Sequence, residues 1–326
     1  MKTKYSILKL HFKSPVHISS GGSGYENSEE LIHSDTLFSS ICSTAKLLYG
    51  DDEVEKLIKS DNLFISSAFP FFKEKYFFPR PLGYFKEFER YEDEKSFKKV
   101  KYFSKEIFEK IINELTLDNE FNKKRIVNGC YSEDLNLDRD VIYRTNEVPR
   151  VTIDRITNST LIFHFSEVSF SKESGLYFIL SCDDLDLRKT ILSSIKLLGD
   201  EGIGADNTIG KGLFEIEEAE LELNIPEESG KRMLLSLYNP NEEELKEFEV
   251  EYSKYNFITR RGWISSYSNM NLRRKSIRML TEGSILKFKN KLIPKGRIIN
   301  VLDKNDLNSL THNIYRSGKA FTIPVR

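Results

Sequence analysis

The stretch Leu198–Ile216 reads LGDEGIGADNTIGKGLFEI and gathers glycines at 202, 204, 210 and 212 around Lys211. A glycine-rich segment ending in Gly-Lys raises the question of a nucleoside triphosphate. A P-loop places four residues between its framing glycines, puts Ser or Thr after the lysine, and runs from strand to helix so that helix amides face the phosphates. Here five residues separate Gly204 from Gly210, and Gly212 follows Lys211. Leu187, Ile191, Ile195 and Leu198 mark a helix before the loop, and the chain after it reads as a strand, which is the opposite order. The dinucleotide pattern G-x-G-x-x-G fails as well, because Asn207 stands where the third glycine belongs. What survives is a loop whose glycines admit close backbone approach and whose successive amides suit an anion, with Asp206, Asn207 and Lys211 adding polar reach. The same glycines could instead serve only a tight crossing from helix to strand.

The flanking order gives the fold class. Residues 5–12 (YSILKLHF) alternate Leu8, Leu10 and Phe12 as a strand does, and a Gly/Ser turn follows at 17–24 (HISSGGSG). Ser34 or Asp35 then reads as the N-cap of a helix carrying Leu37, Ile41, Ala45 and Leu48, stopped by Gly50. Strand-like runs return at 160–168 and 175–182, followed by the second helix, capped by Gly199, and the glycine loop. The succession is β-α-β-β-α-β, an α+β ferredoxin-like or RNA-recognition arrangement. An insertion at about 70–157 interrupts it, opening on the aromatic SAFPFFKEKYFFPRPLG and continuing through the charged helical run FKKVKYFSKEIFEKIINEL. Its length predicts a subdomain of its own. The aromatic run predicts a surface that favours association when unpartnered.

After about residue 225, the runs MLLSLYNP, YNFITRRGWISS and GSILKF read as strands, and Ser317-Gly318-Lys319 as a second, poorer glycine turn. These predict a degenerate second ferredoxin-like unit, so that the domains are 1–223 and 224–326. With 326 residues, 39% of them hydrophobic, the chain can build two cores. Its net charge of −1 demands no anionic partner. Cys42, Cys130 and Cys182 form no CxxC pair, which argues against a zinc knuckle or a disulfide framework. MKTKYSILKLHFK lacks the apolar core of a signal peptide, and no run approaches the ~20 apolar residues of a membrane span. A soluble cytoplasmic protein without membrane association is expected.

Four further stretches stand in order along the chain: PVHISSGG (15–22), IHSDTLFSSI (32–41), ISSAFPFF with YFFPRP (65–81), and PRVTIDRITNST (149–160). Together with the glycine loop, the chain resembles the RAMP superfamily of CRISPR-associated RNA-binding proteins, and within it subunit 4 of the type III-A (Csm) interference complex. No single motif is diagnostic; their order and the insertion carry the likeness. The resemblance implies tandem ferredoxin-like domains with an inserted thumb that kinks the guide. It implies a non-catalytic subunit capping the 5′ end of the complex and holding the repeat-derived 5′ handle of the CRISPR RNA. It also implies two protein partners, the large polymerase-like (Palm-domain) subunit and a RAMP backbone subunit, and no cofactor or metal.

The residues can be read for RNA binding on their own terms. Residues 217–253 hold twelve Glu against Lys231, Arg232 and Lys246, a net of −9, whereas 254–297 hold twelve Lys or Arg against Glu282, a net of +11. A basic stretch containing Tyr255, Phe257, Trp263 and Tyr267 offers phosphate contacts and stacking surfaces together, with Arg260, Arg261, Arg273 and Arg274 as candidates. The two runs could instead neutralise each other across a domain interface. In PRVTIDRIT, an extended chain puts Thr152 and Asp154 on one face and Val151, Ile153 and Arg155 on the other. There Arg150, Thr152 and Arg155 are candidate contacts in a thumb returning to the core. A polar edge strand is the plain alternative. His17, Ser19, Ser20, Gly21 and Gly22 suit phosphate, 2′-hydroxyl or base contacts, or form a simple turn. In the glycine loop the candidates are Gly202, Gly204, Asn207, Gly210, Lys211 and Gly212.

Two enzymatic readings compete. RAMP-type endoribonucleases that process CRISPR RNA use general acid–base chemistry at a 2′-hydroxyl, which here would require His17 and His33 to converge with Lys211. His11 and His164 fall in strand patterns and read as structural. Metal-dependent cutting would draw on Glu26, Glu29 or Glu30, which also read as a solvated acidic loop. A pure protein scaffold would keep the fold without needing the basic aromatic stretch.

Overall fold

The computed structural model describes residues 1–19, 24–83, 94–115, 121–227, 230–262, 273–302 and 313–326. Its first strand, Lys2–Phe12, lies inside a nine-stranded sheet, with Ile7, Leu8 and Leu10 buried. On one side it pairs antiparallel with Phe214–Asn224 along its whole length, and on the other with Ser174–Ser181. Ser174–Ser181 pairs in turn with Phe69–Phe72 and Phe64–Ile65. The order is last, first, third, second, which is the antiparallel sheet of a ferredoxin-like unit. Two helices, Ser34–Tyr49 and Leu185–Glu201, pack together in this unit.

Several expectations shift. The second strand of the unit is the aromatic 64–72 segment, and not 160–168. Thr160–Phe170 pairs along its length with Tyr143–Ile153 and is tied to the segment after the first strand by a single bridge, Val168 to Val16; the two-stranded arm is closed by a turn in which the Asp154 carboxylate accepts the amides of Ile156 and Thr157 at 2.8 Å. The inserted chain continues the main sheet through Lys75–Pro79, Tyr102–Ser104, Cys130–Tyr131 and Ile126–Val127. The charged helical run accordingly breaks at Tyr102–Ser104, and its helix is confined to Lys105–Ile112. Phe69, Phe71, Phe72, Tyr76, Phe77 and Phe78 are buried, so the aromatic run is core and not a sticky surface. The second helix continues past Gly199 to a stop at Gly202. Gly199 serves close packing, since a Cβ there would lie 2.3 Å from the Phe214 carbonyl oxygen.

After residue 225, Ile285–Lys287, Lys231–Leu234 and Thr322–Val325 form a three-stranded sheet. Two hairpins accompany it, Phe257–Arg260 with Ile277–Leu280 and Gly296–Asn300 with Tyr315–Lys319. Ser317-Gly318-Lys319 is therefore strand and not a turn. The start of the acidic run is met by the first strand, where Lys2, Lys4 and Lys9 pair with Glu222, Glu220 and Glu217, while from the basic run Lys287 pairs with Glu249 at 3.6 Å. Adjacent strands thus cancel each other's charge. The three cysteines are free thiols, and among the described residues no helix is long and apolar enough to cross a membrane.

The motif at 32–36 locks the two halves of the chain together. The helix N-cap is His33, so neither Ser34 nor Asp35 acts as the cap. The Ser34 hydroxyl accepts the Leu237 amide at 3.0 Å. Buried Asp35 takes Arg260 in a two-pronged pair at 2.9 and 3.1 Å and also Arg316. Burial opposes its charge, but Arg260 and Arg316 outweigh that and hold the carboxyl well below the usual range. Arg260 is thereby a structural residue with its side chain 4% exposed, and not a surface contact for RNA.

His33 is buried between Glu282 at 2.8 Å and Glu29 at 3.3 Å. Desolvation would lower its pKa, yet the two carboxylates prevail and raise it to about 10. The folded chain therefore keeps a proton that the unfolded chain releases near pH ~6.5. The stabilisation is complete below that pH and is lost as pH climbs toward about 10, with a slope of up to about 1.4 kcal/mol per pH unit. Urea unfolding at pH 7 and pH 9 is expected to show this loss, and His33→Gln to flatten it. Equal slopes in the two proteins would remove the buried imidazolium from the account.

Candidate nucleic-acid interface

Three segments meet at the base of the two-stranded arm: residues 14–19 with Tyr25, the arm itself, and the glycine loop. Lys211 leads into the last strand through Gly212, whose amide donates to the Pro15 carbonyl at 2.8 Å and whose carbonyl accepts the Ile203 amide at 3.0 Å. Gly202, Gly204 and Gly212 all have positive φ, and a Cβ would meet the Lys211, His17 and Ile203 carbonyl oxygens at 2.3, 2.4 and 2.0 Å. Three of the four glycines thus serve the tight crossing. Gly210, at φ +82, borders open space.

Between them runs a short 3-10 turn, Asn207–Ile209, entered through Asp206 in the left-handed region. The amides of Ile209, Gly210 and Lys211 close on Asp206 and Asn207 carbonyls, and those of Asp206, Asn207 and Thr208 have no backbone acceptor among the described residues. These three successive amides are what remains of the anion-binding reading.

The cations beside it are already paired. Arg150 lies 2.5 Å from Asp206, and its guanidinium sits 4.0 Å over the Phe165 ring. Lys211 lies 2.6 Å from the buried Glu167 carboxylate. Glu167 comes from the arm, and no sequence spacing pointed to it. His17 is buried and donates from Nδ1 to the Ser166 carbonyl at 2.6 Å, with its ring 4.5 Å from Phe165. His17 therefore supports the arm and does not face a phosphate.

Ser19 is exposed at the rim; Ser20, Gly21, Gly22 and Trp263 lie outside the described residues. Thr152 stands exposed near the far end of the arm. Arg155 is exposed in the turn at its tip, so this segment leads outward and does not return to the core. Arg261 and Arg273 are exposed, whereas Arg274 is drawn in beside Arg316, and burial with that like charge lowers its pKa to about 10. His164, expected to be structural, is exposed on the arm; His11 is half-exposed and contacts Glu217 at 2.9 Å. The three residues of the acid–base reading have separate commitments: His17 to Ser166, His33 to Glu282 and Glu29, Lys211 to Glu167.

Sequence reading missed the aromatic layer. Tyr25 is 56% exposed and stacks on Phe165 at 5.7 Å, with Phe163 also at 5.7 Å. The signal was the alternation of Phe163 and Phe165 in TLIFHF, which places both aromatics on one face.

Comparison with known proteins places this architecture. The RAMP superfamily model matches residues 9–215, and the model for the CRISPR Csm4 C-terminal domain matches 227–325. Among curated relatives, the CRISPR system Cms protein Csm4 of Methanocaldococcus jannaschii is 28% identical, over 98% of this chain and 97% of the relative. The protein of the same name from Thermococcus onnurineus is 26% identical, over 91% and 92%. Among solved structures, the Csm3-Csm4 subcomplex of the type III-A CRISPR-Cas interference complex has a chain matching with a TM-score of 0.66 at 23% identity, covering 99% of this chain and 100% of that one. A chain of the Csm1-Csm4 cassette in complex with cA4 matches at 0.63, also at 23% identity, covering 99% and 98%. The glycine-loop crossing, the last-first-third-second sheet and the family match over residues 9–215 agree: the chain belongs to the RAMP superfamily.

Proposed function

We propose that this chain is a non-catalytic CRISPR RNA-binding subunit of a type III-A effector complex, capping its 5′ end and holding the repeat-derived 5′ handle. Its partners in this reading are the large polymerase-like subunit, the counterpart of Csm1, and a RAMP backbone subunit, the counterpart of Csm3. The observation that carries the reading is the likeness to Csm4 proteins along the full chain, through both domains. The corner at the arm base supports it: amides at 206–208 without a backbone acceptor among the described residues, exposed Ser19 and an exposed tyrosine suit single-stranded RNA. Arg150 and Lys211 contribute by holding the loop against the arm, and Arg155 and Thr152 by extending the contact outward. Gly202, Gly204 and Gly212 set the loop's path, and Asn207 and Gly210 lie on its open side.

The reading is tested by binding purified protein to labelled guide RNA across a salt series while inspecting the RNA for cuts. Salt-sensitive binding with intact RNA is expected. Cleavage that depends on His17 or His33 would overturn it in favour of a RAMP-type endoribonuclease.

A further inference from the structure

We propose that Tyr25 is a stacking platform for one unpaired RNA base, an inference that rests on the RNA-binding reading and names the chemistry of its contact. An exposed tyrosine is ordinarily free to move. This one is fixed from below. Its carbonyl accepts the Ser166 amide at 2.7 Å, and the Ser166 carbonyl in turn accepts from His17 Nδ1 at 2.6 Å. Its ring lies near-parallel to Phe165, at 28° and 5.7 Å, and Phe165 is packed by the His17 ring and by the Arg150 guanidinium. The result is a packed layer whose outermost residue is 56% exposed.

Charge decides what that ring takes. The two cations at the corner, Arg150 and Lys211, are matched by Asp206 and Glu167 at 2.5 and 2.6 Å. These two cations are therefore neutralised in place, and their attraction of phosphate by net charge is weak. An aromatic face held by the fold beside internally paired charges fits a nucleobase, which offers a π-face whatever its identity. Ordering has already been met by the fold, so little conformational entropy is lost on stacking.

The test uses the full chain and labelled guide RNA carrying its 5′ handle. Stacking by one aromatic is worth ~1–3 kcal/mol per base, so Tyr25→Ala is expected to weaken binding roughly 10-fold, with the salt slope unchanged. Tyr25→Phe is expected to bind as wild type. Tyr25→Leu keeps an apolar cover over Phe165 and is expected to lose affinity as Tyr25→Ala does, with an unaltered melting temperature. If Tyr25→Leu or Tyr25→Ala binds like wild type, the platform is wrong while the RNA-binding reading stands. A fall in salt slope on removing the ring would make it part of a phosphate contact and also overturn the platform. Absence of RNA binding by the wild type would overturn both.

Discussion

Asp35→Ala is expected to destabilise the chain by about 3–5 kcal/mol, the usual cost of removing one partner from a buried ion pair. Asp35 is fully buried at the start of the first long helix and is the carboxylate shared by Arg260 and Arg316. Without it, two nearly buried guanidinium groups face each other, with Arg274 close behind. Like charges at low dielectric repel strongly, and neither arginine can reach water. Arg260 and Arg316 come from different hairpins of the C-terminal half, so the loss loosens its docking onto the first domain. Urea unfolding monitored by two probes is the measurement, and loss of coincidence between them would report domains separating. A companion variant separates cost from worth: Asp35→Leu with Arg260→Met and Arg316→Met should recover much of the stability, because an apolar cluster needs no partner. A destabilisation below about 1 kcal/mol in Asp35→Ala would show that the cluster is not the clasp described.

The second large effect is expected at Gly212. Gly212→Ala puts a Cβ 2.0 Å from the Ile203 carbonyl oxygen and 2.9 Å from the Ile203 carbonyl carbon and amide nitrogen, in a residue at φ +72. All three are backbone atoms, so no rotamer change relieves the clash. The loop must open, breaking the Ile203 and Pro15 hydrogen bonds that set its path. A loss above about 3 kcal/mol is expected, as strain and broken contacts combine. Gly210→Ala is the control: it shares a positive φ but meets nothing within 4 Å, so about 1 kcal/mol is expected. Thermal unfolding of the two variants checks the contrast, and equal losses would mean that close approach is not what Gly212 serves.

The glycine loop shows how far sequence reading reaches. Motif spacing excluded the nucleotide folds, and helix-to-strand order placed the loop correctly, because those features are local. The alternative of a tight crossing also proved right for three glycines, a fact set by carbonyls of distant residues such as His17. Periodicity found the strand at 160–168 but assigned it to the wrong sheet: alternation reports which face is buried and not which strand is the partner. Asp35 looked like a cap because Asp before an apolar helix usually is one; its arginines lie more than 220 residues away. Counting charges likewise overstated the basic stretch. Arg260 is internal, and the start of the acidic run is met by lysines of the first strand, the strand it pairs with. Tyr25 went unnoticed because a lone tyrosine in a polar loop has no pattern; only the arm's return beside it creates the stack.

The central claim is that the chain holds the 5′ handle of a CRISPR RNA, and one comparison addresses it directly. Equilibrium binding of the purified chain is measured with a guide RNA bearing its handle and with the same RNA lacking it, at one fixed salt concentration. The account predicts tighter binding to the handle-bearing RNA by at least roughly 10-fold, the worth of one or two stacked or hydrogen-bonded nucleotides. Equal affinity for the two RNAs would contradict it.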